Sequence, residues 1–206
     1  MKKKMRFSSL LAPDDSVVIV IDPEPRLTSD ISRPNVQQVA SNIVSLMHVA
    51  LHWRVPTILT TQPAPGQEGQ MSEGIADIVS KITVLPRSRT NPCEDTAFAN
   101  LVRETARNRL IVAGFWTEGS LSFMALSALE EGYDVYIVTD AVGGTSKVVH
   151  DTAISRLTQA GAVPVTCRQV ALEWNRDSLA PESLVHSPGQ VRSSQNSRDE
   201  DPGPID

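Results

Sequence analysis

Val17-Val18-Ile19-Val20-Ile21-Asp22-Pro23 is an unbroken apolar, β-branched run stopped by a carboxylate and a proline. Continuous rather than alternating hydrophobicity marks a strand buried on both faces. Runs of the same kind recur at Thr57 to Thr61, Ile82 to Leu85, Leu110 to Ala113, Val135 to Thr139 and Val163 to Thr166, each bounded by Gly, Pro or charged residues. Between them, Val36 to Trp53, Ser72 to Lys81, Glu94 to Asn108, Gly119 to Glu131 and Lys147 to Gln159 carry helical spacing. Strands and helices alternating in this way predict an α/β fold with a six-stranded parallel sheet covered on both faces, because parallel neighbours need crossover connections and those are right-handed. Ligands of such sheets sit beyond the carboxyl ends of the strands. The residues at those ends are Asp22, Arg87, the turn Gly114 to Ser120, and Asp140.

The whole chain has 206 residues, 40% hydrophobic and 21% charged, which suits one globular domain and excludes collagen-like, disordered and coiled-coil chains. A net charge of −5, with the basic residues scattered, offers no footprint for nucleic acid or an anionic membrane surface. Two cysteines, Cys93 and Cys167, make no disulfide framework and suit a reducing compartment. Met1-Lys2-Lys3-Lys4 imitates the start of a signal peptide, but the apolar stretch after it is broken at Ser8 and Ser9 and stopped at Pro13. The expected location is therefore the cytoplasm, with no membrane partner. After Pro181 the composition turns polar, and Ser187 to Asp206 holds only Val191 and Ile205 as apolar residues. The expected organisation is an N-terminal extension (1–13), one domain (14–180) and a disordered tail (181–206), unless part of the tail docks on a neighbouring subunit.

Each candidate residue has a plain alternative. Asp22 serves as a general acid or base at the ligand-binding edge, or only as a turn residue. Arg87 offers planar forked donors to a carboxylate, an amide oxygen or a developing oxyanion, or is a surface arginine. A helix starting near Gly119 points N–H groups at whatever lies over it, and Ser120 in its first turn is a nucleophile or a capping hydroxyl. Glu118 and Ser122 occupy the positions where a G-x-S-x-G elbow needs glycines. His48 and His52 have metal-ligand spacing but no third ligand. His150, with Ser120 and Asp140, composes a triad on paper, or is a surface or packing histidine. Gly143-Gly144 lacks a phosphate-loop lysine and reads as a connection.

The carboxylate after the first strand, the basic residue after the third and the turn Gly114-Phe115-Trp116-Thr117-Glu118-Gly119-Ser120 together resemble the isochorismatase-like cysteine hydrolase superfamily, over roughly Asp14 to Asp177. Pro56 to Thr61, Ala125 to Val135, Val138 to Ala141 and Gln159 to Ala162 are similar to its YcaC-like branch. The resemblance implies a three-layer αβα fold and a homo-oligomer, dimer or higher. It also implies an Asp, Lys and Cys converging to hydrolyse a small amide, or a vinyl ether in isochorismatase proper. Asp22 falls on the acid/base position, and Arg87 on the lysine position, where the YcaC-like branch also carries Arg. A non-proline cis peptide is implied at Phe115–Trp116, with Trp116, Thr117 and Gly119 in the oxyanion turn and the Trp116 and Ser120 N–H groups as donors. No metal or cofactor is implied; the partner is a small-molecule substrate or ligand.

The departure is Ser120, which stands where the family motif has cysteine. At reference values a carboxylate already deprotonates a thiol uphill by about 4.6 pK units, roughly 6 kcal/mol, and a hydroxyl is harder still. Three readings stay open: Ser120 as a slow nucleophile with Asp22 as base, a non-covalent hydrolysis led by Asp22, or a homologue without chemistry that binds a small carboxylate or amide or acts as an interaction module. Cys93, in the loop after Arg87, is a relocated nucleophile or incidental. Glu24, Cys93 and Glu118 complete the candidate pocket; Trp116, Phe98 and Phe123 line it, or the two Phe residues belong to the core.

Overall fold

The computed structural model of the protein describes residues 10–23, 35–62 and 73–176. All the predicted strands form: β1 Ser16–Ile21, β2 Thr57–Thr61, β3 Thr83–Pro86, β4 Arg109–Phe115, β5 Asp134–Gly143 and β6 Val163–Val165. They pair in parallel in the order β3-β2-β1-β4-β5-β6. Every residue of β1 is buried, because successive side chains of a strand point to opposite faces and both faces here carry helices.

On one face Val18, Val20, Leu59, Ile111 and Ala113 pack with Ile43 and Met47 of α1 (Asn35–His52), Ile75 and Ile78 of α2 (Glu73–Val79), and Val170 and Trp174 of α6 (Cys167–Trp174). On the other, Val17, Ile19, Ile21, Ile58 and Val112 pack with Phe98 and Val102 of α3 (Thr96–Glu104), Met124 and Ala128 of α4 (Ser122–Glu131), and Leu157 of α5 (Lys147–Ala160). This is the three-layer αβα arrangement. Among the described residues no helix is long and apolar enough to cross a membrane.

Helices expected at Ser72 to Lys81, Glu94 to Asn108 and Gly119 to Glu131 are shorter, as α2, α3 and α4, and the β5–β6 side of the sheet differs from expectation in two features. β5 runs on through Asp140 to Gly143, with a register shift opposite Val112 to Gly114. Asp140 is therefore inside a strand, and its Oδ1 accepts the Cys167 N–H at 2.9 Å, at the start of α6. The eight-residue helix α6 is not anticipated by the periodicity; a reciprocal capping box between Thr166 and Gln169 starts it.

The order of strands reverses between β1 and β4, which creates a crevice above their carboxyl ends. Gly114 pairs with Ile21 there, at φ +132°, and an added Cβ would lie 1.9 Å from the Ile21 carbonyl oxygen. Only glycine lets β4 come this close to the residue before Asp22.

Candidate active site

Asp22, Arg87 and Ser120 leave three different strands and meet in this crevice. Asp22 follows β1 with φ +47°, a left-handed conformation uncommon outside glycine. Its N–H donates to the Thr60 carbonyl at 2.9 Å, which anchors the backbone to β2. Arg87 follows β3, and its N–H donates to the Thr61 carbonyl at 2.8 Å. The guanidinium reaches past β2 to Asp22. Nη1 donates to Oδ1 at 2.8 Å, Nη2 donates to Oδ2, and Nε donates to the Arg89 carbonyl at 3.0 Å. The Asp22 and Arg87 side chains are 3% and 0% exposed, so this forked pair is closed off from water.

Ser120 is buried, and its Oγ donates to Asp22 Oδ2 at 2.8 Å. The Gln62 N–H donates to Oδ1 at 3.0 Å. The carboxylate thus accepts four hydrogen bonds, two on each oxygen. That sequence-derived trio is assembled as a contiguous cluster.

The turn that brings Ser120 there is not the one expected. Among the described residues there is no cis peptide bond, and Phe115–Trp116 is trans. The chain instead reverses through Trp116, which adopts φ +62° and ψ +55°. One π-type turn, Thr117–Leu121, then leads into α4, broken at Gly119 with φ −111° and ψ −115°. A bulky side chain in the left-handed region, as at Trp116, costs on the order of 1–3 kcal/mol, and Asp22, a residue type that tolerates this region better, flanks the same crevice. The Gly119 N–H donates to the Trp116 carbonyl at 2.9 Å. It is spent inside the turn rather than offered to a ligand. Trp116 packs against the α1 face of the core, and its Nε1 is buried without a partner among the described residues.

Other candidates go elsewhere. His150 does not face Ser120 through its bonded nitrogen: its Nδ1 lies 3.0 Å from Thr117 Oγ1, and Asp140 serves α6, so no triad forms. Cys93 turns its Sγ to the Met124 carbonyl at 3.7 Å and lines an apolar recess with Phe98, Val102 and Met124. Burial, aided by Glu131, pushes its thiol up to about 12, the opposite of an activated nucleophile. Phe98 is core, whereas Phe123 is 41% exposed in the first turn of α4. Glu118 accepts the Thr145 N–H on Oε1 at 3.1 Å. Glu24 lies outside the described residues. His52 packs edge-on against Trp53, and among the described residues no group of three potential ligands is placed to hold a metal.

Sequence reasoning missed what surrounds the trio: Gln62 as a donor to Asp22, and the Thr117–His150 contact. Gln62 acts through its backbone, so its residue type carried no signal.

Comparison with known proteins agrees with this fold. A model of the isochorismatase domain matches residues 16–169. The Escherichia coli (strain K12) protein named "Probable hydrolase YcaC" is 33% identical over 168 residues, 81% of each chain. YcaC from Pseudomonas aeruginosa, solved with hexane-2,5-diol and covalent acrylamide, has a TM-score of 0.78 at 31% identity, covering 84% of this chain and 86% of its own. The YcaC gene product of Escherichia coli, described as an octameric hydrolase of unknown specificity, has a TM-score of 0.76 at 31% identity, with 86% and 85% covered.

Proposed function

This chain belongs to the isochorismatase family, and on that premise we propose that it is a hydrolase of a small-molecule amide, ester or vinyl ether, with Ser120 at the nucleophile position, Asp22 as acid/base and Arg87 as electrostatic stabiliser. One observation carries the reading: the Ser120 hydroxyl donates to Asp22 Oδ2 at 2.8 Å, so its proton already faces an acceptor. Ser120 Oγ attacks the carbonyl carbon as that proton passes to Oδ2. The carbonyl π pair moves onto oxygen, giving a tetrahedral oxyanion. Collapse expels the amine or alcohol, which takes the proton back from Asp22. Water then cleaves the acyl-serine in the same two steps. Arg87 acts through the carboxylate, since its fork is directed at Asp22 rather than at the crevice.

The four donors around Asp22 favour a second reading as well. Both carboxylate oxygens are already filled by donors, and a serine hydroxyl is a far weaker acid than a thiol, which fits a homologue that binds a small carboxylate or amide without turning it over, or that serves as an interaction module. The deciding experiment is turnover of a panel of small amides, esters and isochorismate by wild type, Asp22→Asn, Ser120→Ala and Ser120→Cys. Turnover lost in both Asp22→Asn and Ser120→Ala supports the covalent mechanism. Turnover kept in Ser120→Ala but lost in Asp22→Asn moves the chemistry to Asp22 alone. Activity confined to Ser120→Cys supports the binding role. By likeness to the octameric relative we propose a homo-oligomer, to be checked by light scattering.

A further inference from the structure

The turn Thr117–Leu121 has an irregular backbone, with Gly119 off the helix and Trp116 left-handed before it. A segment without a repeating hydrogen-bond ladder takes its shape from side-chain ties, and these ties run to α5. Thr117 is wholly buried; its carbonyl accepts the Ser122 Oγ–H, and its hydroxyl meets His150 Nδ1 at 3.0 Å. Glu118 accepts the Thr145 N–H just before α5, while its Oε2 is buried with no partner among the described residues. Gly144 permits this approach, since a Cβ there would stand 2.7 Å from Glu118 Oε2 and 3.1 Å from the His150 Cβ. Two consecutive residues of the turn are thus fastened to one connection and one helix end.

We propose that His150 is a positioning residue for the reaction at Ser120: its Nδ1 hydrogen bond to Thr117 holds the turn that presents the Ser120 hydroxyl to Asp22. The inference rests on the hydrolase reading above. The His150 ring bonds to Thr117, whereas Ser120 bonds to Asp22, and Asp22 also to Arg87 and Gln62, so its effect passes through Thr117. Burial pushes its imidazole down from the usual value, and Lys147 adds to this; Asp151 and Glu118 pull it up. Among the described residues those are the charged groups that act on it. α4 carries its carboxylates, Glu130 and Glu131, only at the far end, and β6 carries no charge. The ring is neutral at neutral pH. Below that an imidazolium Nδ1–H must donate, which leaves Thr117 Oγ1 as acceptor and sets a cation beside the unpartnered Glu118 oxygen.

The test compares wild type, His150→Ala, His150→Asn and Thr117→Val. Asparagine keeps a polar atom at the δ position and does not titrate; valine keeps the shape of Thr117 without its hydroxyl. In His150→Ala and Thr117→Val, kcat should fall about tenfold with KM within about twofold of wild type, the mark of a misplaced reacting group. His150→Asn should regain most of that loss, and its kcat should stay flat as pH falls below the usual imidazole range, where wild type declines. An unchanged kcat in both His150→Ala and Thr117→Val overturns the proposal, as does a His150→Asn enzyme that keeps the wild-type acid decline. If wild type turns nothing over, the readout is alkylation by iodoacetamide in Ser120→Cys. Its thiol should react several-fold more slowly when His150→Ala is added and recover with His150→Asn; equal rates overturn the proposal independently of natural activity. Cys93, at about 12, and Cys167, also pushed up by burial, supply little background.

Discussion

Asp22→Asn strands a buried guanidinium. In the native cluster the Arg87 side chain is 0% exposed, and both carboxylate oxygens face donors: Arg87 Nη1 and the Gln62 N–H at Oδ1, Arg87 Nη2 and Ser120 Oγ at Oδ2. The asparagine NH2 meets a donor in either orientation. The less costly one sets it at the Oδ2 position, where the Ser120 hydroxyl can turn and accept. Removing one partner of a buried pair costs about 3–5 kcal/mol, because the remaining charge stays desolvated. That is a large part of the roughly 5–15 kcal/mol that holds an ordinary domain together, and at about 2–4 °C per kcal/mol it lowers Tm by some 6–20 °C. Arg87→Gln should cost about as much from the other side. The double variant leaves no charge uncompensated and should fall within about 2 kcal/mol of wild type, a strongly non-additive cycle. Urea unfolding at pH 7.5 followed by tryptophan fluorescence measures all three. A loss below about 1 kcal/mol in Asp22→Asn, or a double variant equal to the sum of the singles, would refute a coupled, desolvated pair. The activity of Asp22→Asn must be assayed well below its own Tm.

Gly114→Ala drives a Cβ to 1.9 Å from the Ile21 oxygen at φ +132°. The loss should exceed about 4 kcal/mol, seen as missing folded protein by circular dichroism; a Tm within about 2 °C of wild type contradicts the described β1–β4 approach. Because burial lowers the His150 pKa in the folded state, the unfolded chain binds that proton first as pH falls. The ring's contribution to stability is thus complete above about pH 6.5 and declines below it. His150→Asn should remove that part of the slope in urea titrations run from pH 7.5 to 5.5, and an identical slope in both proteins counts against it. With its thiol at about 12, Cys93 should label with maleimide at pH 7.5 far more slowly than a free cysteine near 8.5, and at an ordinary rate in urea; fast native labelling would mean an open recess.

The central strands β1 and β4 were legible because burial on both faces makes each a nearly unbroken apolar run, and the partly exposed edge strands β3 and β6 were legible as short β-branched stretches closed by turn or charged residues. The same rule fails at the end of β5. Thr139 and Asp140 look like a strand terminus, yet the strand continues because the Thr139 hydroxyl donates to the Val165 carbonyl at 3.1 Å and Asp140 accepts from Cys167. Polar side chains satisfied sideways leave no mark that local pattern can read. The meeting of Asp22, Arg87 and Ser120 followed from the carboxyl-edge rule and from the family resemblance. Their hydrogen bonds did not, since those depend on where β2 stands between β1 and β3. The trans, left-handed Trp116 was least legible, because a bulky residue has no intrinsic preference for that conformation and only the surrounding packing imposes it.

The central place of β1 also matters while the chain is being made. Ser16–Ile21 needs a neighbour along each edge, and β4, which covers one of them, begins at Arg109. At roughly 5–20 residues per second the ribosome takes on the order of ten seconds to deliver it. Throughout that interval Ser-Val-Val-Ile-Val-Ile, with strong β propensity and no charge, keeps an edge that another nascent chain can pair with. Yield of assembled protein should therefore depend on how promptly translation reaches β4 and on chaperones that shield the emerging segment. The strand that organises the finished sheet is, before the sheet exists, the one most exposed to the wrong partner.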